Sequence, residues 1–403
     1  DDLPADDEIV SSLLAGEVEF SDAVELELGW LSFRNSAIEP NNGQGAERVG
    51  GLNPLVNKDV ASDSYRATLS VAPNSALIDF EATLYHNVGE VDEVDPAINR
   101  FIERNLETAG IRAENRAEFT VGGLDAALLV GAEWYEDEQT GFDSRTPDNT
   151  RGGVPSGTTT FTGAWAQLET TFDLGGAGEL IVLPGVRFDH FESTSDVGGD
   201  NQDDAVSPRL AATWAINDRL RVFGSWAEAF RAPSLNELYL SDTHFSLPHP
   251  VLGVPTFITN EFVANPNLKP EETETFELGA GFIEEGLFTE GDRFEIKGAV
   301  FRTEATDLIN LQVDFALSPT CFAPPFFAPC SAGTSFSENL TSAELEGFEL
   351  AAAYTNGPFE LSGALYEVDG TDQLTGEPIG NLQPTMGHIS ARYRLEDQRL
   401  LLG

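Results

Sequence analysis

Basic residues, histidines and long apolar runs are scarce in this sequence, and these shortages exclude whole classes of protein. The 403 residues include 22 Lys and Arg against 68 Asp and Glu, a formal net charge of −46. This charge repels polyanions, so nucleic acid is excluded as a partner. No apolar run approaches the roughly 18 residues that a spanning helix requires, so the chain is not a helical membrane protein.

The acidity favours a protein that stays soluble in salty surroundings, and it does not define a fold. Calcium bound in acidic loops is the alternative that this composition leaves open. The first residues, DDLPADDEIV, have neither a basic n-region nor an apolar h-region. We therefore expect the chain to be the mature or an internal part of a protein.

The usual catalytic signatures are also missing. The sequence has no GxSxG, no HExxH, no Walker A motif and no GxGxxG that opens a helix. Carboxylate pairs carry no information in a chain this acidic. We expect no enzyme and assign no catalytic residues; an outer-membrane hydrolase, whose Ser, His and acid would meet only in space, is the remaining enzymatic alternative.

The two cysteines, Cys321 and Cys330, bracket the segment CFAPPFFAPC. They lie close together and have no neighbouring His or Cys that would complete a metal site, which favours a local disulfide. A disulfide indicates an oxidising compartment such as the periplasm or the cell exterior. Two free thiols are the alternative.

Apolar residues alternate with polar ones along most of the chain. In ELIVLPGVRFDHF, Leu180 and Val182 point to one side while Arg187 and Asp189 point to the other, and RLRVFGSW and RFEIKGAVF repeat the pattern. A period of two predicts β-strands with one apolar and one polar face. The many charges on the polar face do not fit a solid core, but they fit a wide polar lumen.

Connection lengths add a second signal. Tight turns such as GGLD and TNGPF largely alternate with long polar connections, and aromatic residues stand near many strand ends. This pattern is typical of a transmembrane antiparallel β-barrel, with short turns at one rim, long loops at the other and aromatic girdles between them. We predict an all-β chain with roughly 14 strands.

The most specific segments are FRAP at residues 230–233, the following LNELY, and NPNLKPE at residues 265–271. They resemble the paired FRAP and NPNL boxes of TonB-dependent outer-membrane haem and haemoglobin receptors, and the resemblance is distinctive over residues 208–384. It implies that residues 231–271 form an extracellular ligand-binding loop. Because Pro233 and Pro266 restrict the backbone, we expect the two boxes to shape the ends of that loop.

The resemblance also implies which residues meet the ligand. His244, between the boxes, matches the position of an axial ligand to haem iron, and His249 is a weaker candidate. Tyr239 and Phe245 would contact the apolar macrocycle. Arg231 would pair with a haem propionate or, alternatively, with an acidic side chain in the lumen.

Such receptors have an N-terminal plug, a TonB box, a second haem-ligating histidine and about 22 strands, and these parts are not recognisable here. We therefore expect residues 1–403 to be a barrel truncated at both ends, with the plug domain not present in this chain. The implied function is capture of haem, free or from a haem protein, and import driven by the TonB complex across the lipid of the bacterial outer membrane. A receptor for a ferric siderophore, cobalamin or glycan and a passive porin-like barrel are the alternatives.

Overall fold

The computed structural model describes residues 6–40, 55–254, 256–322, 330–339, 342–379, 382–395 and 400–402, and most of them are in β-strands. Sixteen strands form one large sheet in which every pair of neighbours is antiparallel. Their bounds are β1 Asp6–Ser21, β2 Val24–Pro40, β3 Leu55–Val71, β4 Phe80–Asp95, β5 Arg100–Val121, β6 Leu124–Asp143, β7 Gly157–Asp173, β8 Glu179–Ser195, β9 Asn201–Ala215, β10 Leu220–Arg231, β13 Glu271–Glu285, β14 Asp292–Thr306, β17 Ser342–Asn356, β18 Phe359–Asp372, β19 Met386–Leu395 and β20 Leu400–Leu402.

The order of strands in this sheet follows the chain, except where the chain leaves the sheet between β10 and β13 and between β14 and β17. Tight turns occupy one rim. At Gly122 and Gly123, between β5 and β6, both residues have positive φ (62° and 87°), which is the conformation that a two-residue hairpin turn requires. The longer connections leave from the opposite rim, which confirms the predicted alternation.

The predicted strand count and loop lengths need correction. The sequence indicated roughly 14 strands, but the described part of the large sheet contains 16. The sequence predicts long loops at residues 34–64 and 88–106, but the described residues of both ranges lie largely in strands, because β2 to β5 continue well into them. Charged residues stand on both faces of these strand ends, as in the neighbouring pairs Asp92–Glu93 and Glu103–Arg104, so the alternation that marks a strand at a lipid boundary is lost there.

The register places apolar side chains on one face of the sheet. Leu278 pairs with Val300, and Val300 pairs with Phe348 across the next strand. Leu278 and Val300 are 60% and 56% exposed, as expected for a face that contacts lipid. On the opposite face, Arg221, Glu277 and Lys297 line a cavity, so the predicted faces are confirmed.

No helix in the described ranges is long and apolar enough to span a bilayer.

Four further strands form a separate small sheet, which the sequence did not predict. They are β11 Asp242–Pro248, β12 Phe257–Phe262, β15 Ile309–Asp314 and β16 Ser331–Asn339, in the order β11-β12-β16-β15. Strands β12 and β16 pair in parallel, and the other two pairs are antiparallel. The small sheet therefore joins the two connections that leave the large sheet.

Gly333 permits this pairing. Its φ is +98°, and a Cβ at this position would collide with the backbone oxygen of Asp314 at the end of β15. Gly333 also sits where the register between β12 and β16 shifts.

The assignment of faces predicts different effects of a lysine on adjacent strands. We expect Leu278→Lys to lower the free energy of unfolding by about 2–4 kcal/mol, because it places a charge against lipid. Ser225 pairs with Glu277 and lines the cavity on the opposite face, so Ser225→Lys should change the free energy by less than about 0.5 kcal/mol. Denaturant unfolding in phosphatidylcholine vesicles measures both values, and equal effects would contradict the assignment.

Candidate ligand-binding site

Residues 231–271 do not form one irregular loop. The chain passes from β10 into a short helix, α1 Leu235–Tyr239, then through the β11–β12 hairpin, and returns at β13. Ser234 caps α1 in a capping box: its hydroxyl accepts a hydrogen bond from the Glu237 backbone N–H, and the Glu237 carboxylate accepts one from the Ser234 N–H. The LNELY segment is thus a helix because the reciprocal hydrogen bonds of Ser234 and Glu237 cap its first turn.

Arg231 joins the two ends of this connection. Its guanidinium donates to both carboxylate oxygens of Glu271 at 2.6 and 2.8 Å and to both of Glu237 at 2.9 Å. The remaining N–H faces the Ala232 carbonyl oxygen at 3.5 Å. All five donors are therefore engaged, which favours the ion-pair alternative for Arg231 over a bond to a haem propionate.

Apolar side chains of α1 and of the NPNL box pack into one small core. Leu235, Leu238 and Tyr239 of α1 meet Leu268 of NPNL, and Ile309 packs against them. Asn201, at the start of β9, donates to the carbonyl oxygens of Pro266 and Leu268 at 2.9 and 2.8 Å. In this structure the two boxes therefore anchor the connection to the rim of the large sheet.

Tyr239, expected at the ligand, lies inside this core. It has no exposed surface, and its hydroxyl donates to the carbonyl oxygens of Ser193 and Gly199 at 3.1 and 2.8 Å. Its side chain therefore has no surface open to a macrocycle in this structure. An aromatic residue in a buried anchor and one in a ligand contact look the same in a sequence.

His244 lies on β11 and is half-buried between aromatic rings. Its ring stacks on Phe262 at 4.4 Å between centroids and meets the edge of Phe245 at 5.0 Å. Phe245 in turn stacks on Phe315 at 6.5 Å. The Nδ1 atom of His244 lies 2.9 Å from the hydroxyl oxygen of Ser335 on β16. The structure thus brings together His244 and Phe245 and adds Phe315 and Ser335, which no sequence signal indicated.

His249 has a different environment, in the turn between β11 and β12. It is only 3% exposed, and its Nδ1 accepts hydrogen bonds from the backbone N–H groups of Val251 and Leu252, each at 3.1 Å. An accepting Nδ1 leaves the ring hydrogen on Nε2, so neither nitrogen has a free lone pair for iron. His249 stabilises the turn, and it is poorly suited to ligation in this state.

Cys321 and Cys330 form the predicted disulfide, with 4.9 Å between their Cα atoms. Cys330 directly precedes β16, and Ser331 of β16 pairs with Thr259 of β12. The disulfide-bonded loop therefore adjoins the small sheet. Phe322 is 56% exposed. Phe326 and Phe327, in the same segment, lie outside the described residues.

A calcium site in the acidic loops stays a prediction. In the described ranges, no three His, Cys, Asp or Glu side chains are grouped so that they could hold a metal ion.

The Glu237 carboxylate predicts that the anchor weakens in acid. Burial raises the pKa of Glu237, but the hydrogen bonds from Arg231 and the Ser234 backbone outweigh it, so the pKa lies below the usual 4.5. A pKa lowered by folding gives stability that is complete above pH 4.5 and is lost as the pH falls through the folded value.

Hydrogen exchange of the α1 amides, corrected for intrinsic rates, measures this effect. At pH 7 we expect less protection in Glu237→Gln than in the parent chain, and the difference should disappear as the pH falls well below 4.5. Glu290→Gln, in a turn at the opposite rim, serves as control. A difference that does not depend on pH would rule out this role of the carboxylate.

Comparison with known proteins places these features in a family. Residues 17–402 match the family model described as TonB dependent receptor-like, beta-barrel. The hemin receptor of Yersinia pestis is 30% identical over 383 residues, which are 94% of this chain and 52% of that receptor. Heme/hemopexin utilization protein C of Haemophilus influenzae is 27% identical over 366 residues, 88% of this chain and 48% of that protein. The chain thus spans about half the length of these curated relatives.

A solved structure agrees in fold. The hemophore receptor HasR of Serratia marcescens, a double mutant in complex with its hemophore HasA and heme, superposes with a TM-score of 0.76 at 20% identity, over 98% of this chain and 62% of that chain. At this identity the match shows the fold alone. The family model matches nearly the whole chain, and the large antiparallel sheet has one apolar face. This chain therefore belongs to the TonB-dependent receptor β-barrel family of the bacterial outer membrane.

Proposed function

We propose that the protein to which this chain belongs captures haem at the cell surface and imports it through a plugged barrel. The observation that supports this most is the pairing of His244 with an aromatic surface in a chain 30% identical to a hemin receptor. The family consists of receptors and transporters and not of enzymes, so binding and gated import are its mechanism. Energy would reach the barrel from the TonB complex through the plug.

The chemistry of the small sheet fits haem. Ferric or ferrous haem iron accepts a neutral imidazole nitrogen, and the porphyrin requires an apolar surface. His244 offers the imidazole; Phe245 and Phe262 pack against its ring, and Phe315 stacks on Phe245. Because the small sheet is anchored at the rim from which the long connections leave, haem released from it would face the lumen of the barrel.

His244 is the residue whose loss should abolish iron ligation. We expect haemin added to the refolded parent chain to give a saturable, red-shifted Soret band, and we expect His244→Ala to remove that band. His190→Ala is the matched control, because His190 also pairs with a polar side chain, Asp204 at 2.9 Å, but lies on β8 outside the small sheet.

The control should keep the parent affinity. An equal response of the parent chain and His244→Ala would count against haem ligation and would favour a receptor for a siderophore, cobalamin or glycan. Ion conductance without any saturable ligand would instead support a passive barrel.

The disulfide-bonded loop is a candidate contact for a haem protein. The exposed side chain of Phe322 next to the buried Cys321 is an apolar surface at the edge of the small sheet, and exposed aromatic residues are common anchors at protein interfaces. Partner binding there would bring a haem protein close to His244.

The double variant Cys321→Ser/Cys330→Ser separates this contact from haem ligation. We expect binding of haemoglobin to weaken by about tenfold or more, because loss of one anchor costs more than 1 kcal/mol. Free haemin binding should be unchanged. Surface plasmon resonance for haemoglobin and Soret titration for haemin measure the two, and equal losses in both would show that the disulfide only stabilises the site.

A further inference from the structure

Two consecutive hydrogen bonds behind His244 fix the position of its ring hydrogen. One joins His244 Nδ1 and the Ser335 hydroxyl at 2.9 Å, and the other joins that hydroxyl and the Asn260 side-chain oxygen at 2.6 Å. Ser335 and Asn260 have no exposed surface. Solvent therefore cannot substitute for either partner, and the direction of each hydrogen bond follows from the donors available.

Asn260 sets the direction. Its amide nitrogen donates to the backbone carbonyl oxygens of Asp314 and Ala332, both at 3.2 Å, so both amide hydrogens are engaged. The Asn260 side-chain oxygen is consequently the atom that faces Ser335, and it can only accept. The amide group of Asn260 cannot be flipped, because its side-chain oxygen would then face the carbonyl oxygens of Asp314 and Ala332.

Ser335 transmits this direction to the histidine. A hydroxyl has one hydrogen, and Ser335 donates it to Asn260 at the shorter of its two contacts. The Ser335 oxygen must then accept from His244, so the hydrogen of a neutral His244 ring is on Nδ1. In this tautomer Nε2 keeps its lone pair, which is the state that a metal-ligating imidazole requires.

We propose that Ser335 and Asn260 are positioning residues that hold His244 in the Nδ1–H tautomer and present its Nε2 as a ligand for haem iron. This inference rests on the proposed function of His244, but the tautomer is a property of the chain without haem. The turn histidine shows the opposite arrangement: His249 Nδ1 accepts two backbone hydrogen bonds, so its hydrogen is on Nε2. The surroundings of the two rings thus assign only one of them to iron.

The first test is nitrogen-15 NMR of the histidine side chains in the full chain without haem. Five histidines give few signals, and His244→Ala identifies the relevant one. In the parent chain at a pH where the ring is neutral, we expect His244 to have a protonated Nδ1 and an unprotonated Nε2. In Ser335→Ala we expect this preference to be lost.

A matched control is available on the same strand. Ser337 is also buried and lies two residues along β16, on the same face as Ser335. Ser337→Ala should leave the His244 tautomer as in the parent chain. Ser335→Thr, which restores a hydroxyl, should recover the Nδ1–H signal and distinguishes loss of the hydrogen bond from general damage to the small sheet.

The second test is haemin affinity by Soret titration. Loss of a hydrogen bond that orients a ligating histidine typically costs 10–100-fold in affinity, so we expect Ser335→Ala to weaken binding by about that factor and Ser337→Ala by less than about twofold. An Nε2–H tautomer in the parent chain, or an Nδ1–H tautomer that persists in Ser335→Ala together with unchanged affinity, would overturn the inference.

The two claims fail in different ways. If the parent chain does not bind haemin although Ser335→Ala changes the tautomer, the proposed function is wrong and the positioning of the ring stands. If haemin binding requires His244 but is indifferent to Ser335, the proposed function stands and the positioning role is wrong.

Discussion

The ion pairs of Arg231 are the interaction on which the connection between β10 and β13 depends. One guanidinium joins the end of β10, the helix α1 and the start of β13, places that are up to 40 residues apart in the chain. The core around Tyr239 and Leu268 closes over the same junction. A connection this long would lose much entropy if it were ordered only by its own contacts, and the anchor divides it into short ordered pieces. The small sheet can then hold side chains in fixed positions.

The two histidines of this connection show how local hydrogen bonds assign different roles to one side-chain type. They are five residues apart, on a strand and in the turn that follows it. Backbone N–H groups occupy the Nδ1 of His249 and place its hydrogen on Nε2, whereas a serine hydroxyl occupies the Nδ1 of His244. The identity of the neighbour, and not the histidine itself, decides which ring can bind a metal.

Much of the fold was readable from the sequence, because a strand at a lipid boundary imposes an alternation that residues such as Leu278 and Val300 display. The ends of β2 to β5 escaped detection, since both of their faces carry charged residues and the alternation is lost. In the structure β10 ends within FRAP and β13 begins directly after NPNLKP, and the spacing of Cys321 and Cys330 correctly indicated a disulfide.

The sequence could not predict the surroundings of His244. Ser335 is 91 residues away, and it meets the histidine only because β12 and β16 pair in parallel after Gly333 shifts the register. Tyr239 was expected at the ligand, and Arg231 at a haem propionate or at an acidic side chain. In the structure both lie in the anchor, where Arg231 pairs with two acids and Tyr239 bonds to two backbone carbonyls. Residue type identifies such side chains as candidates for ligand contact, but only tertiary contacts separate an anchor from a binding surface.

The most direct measurement is pulsed electron paramagnetic resonance of the ferric haemin complex, prepared with nitrogen-15 histidine in an otherwise unlabelled chain. Direct coordination predicts a strong nitrogen-15 hyperfine coupling from an imidazole nitrogen bound to iron, and this coupling must vanish when His244 is replaced by alanine. A complex without the coupling, or one in which the coupling survives that replacement, would contradict the account.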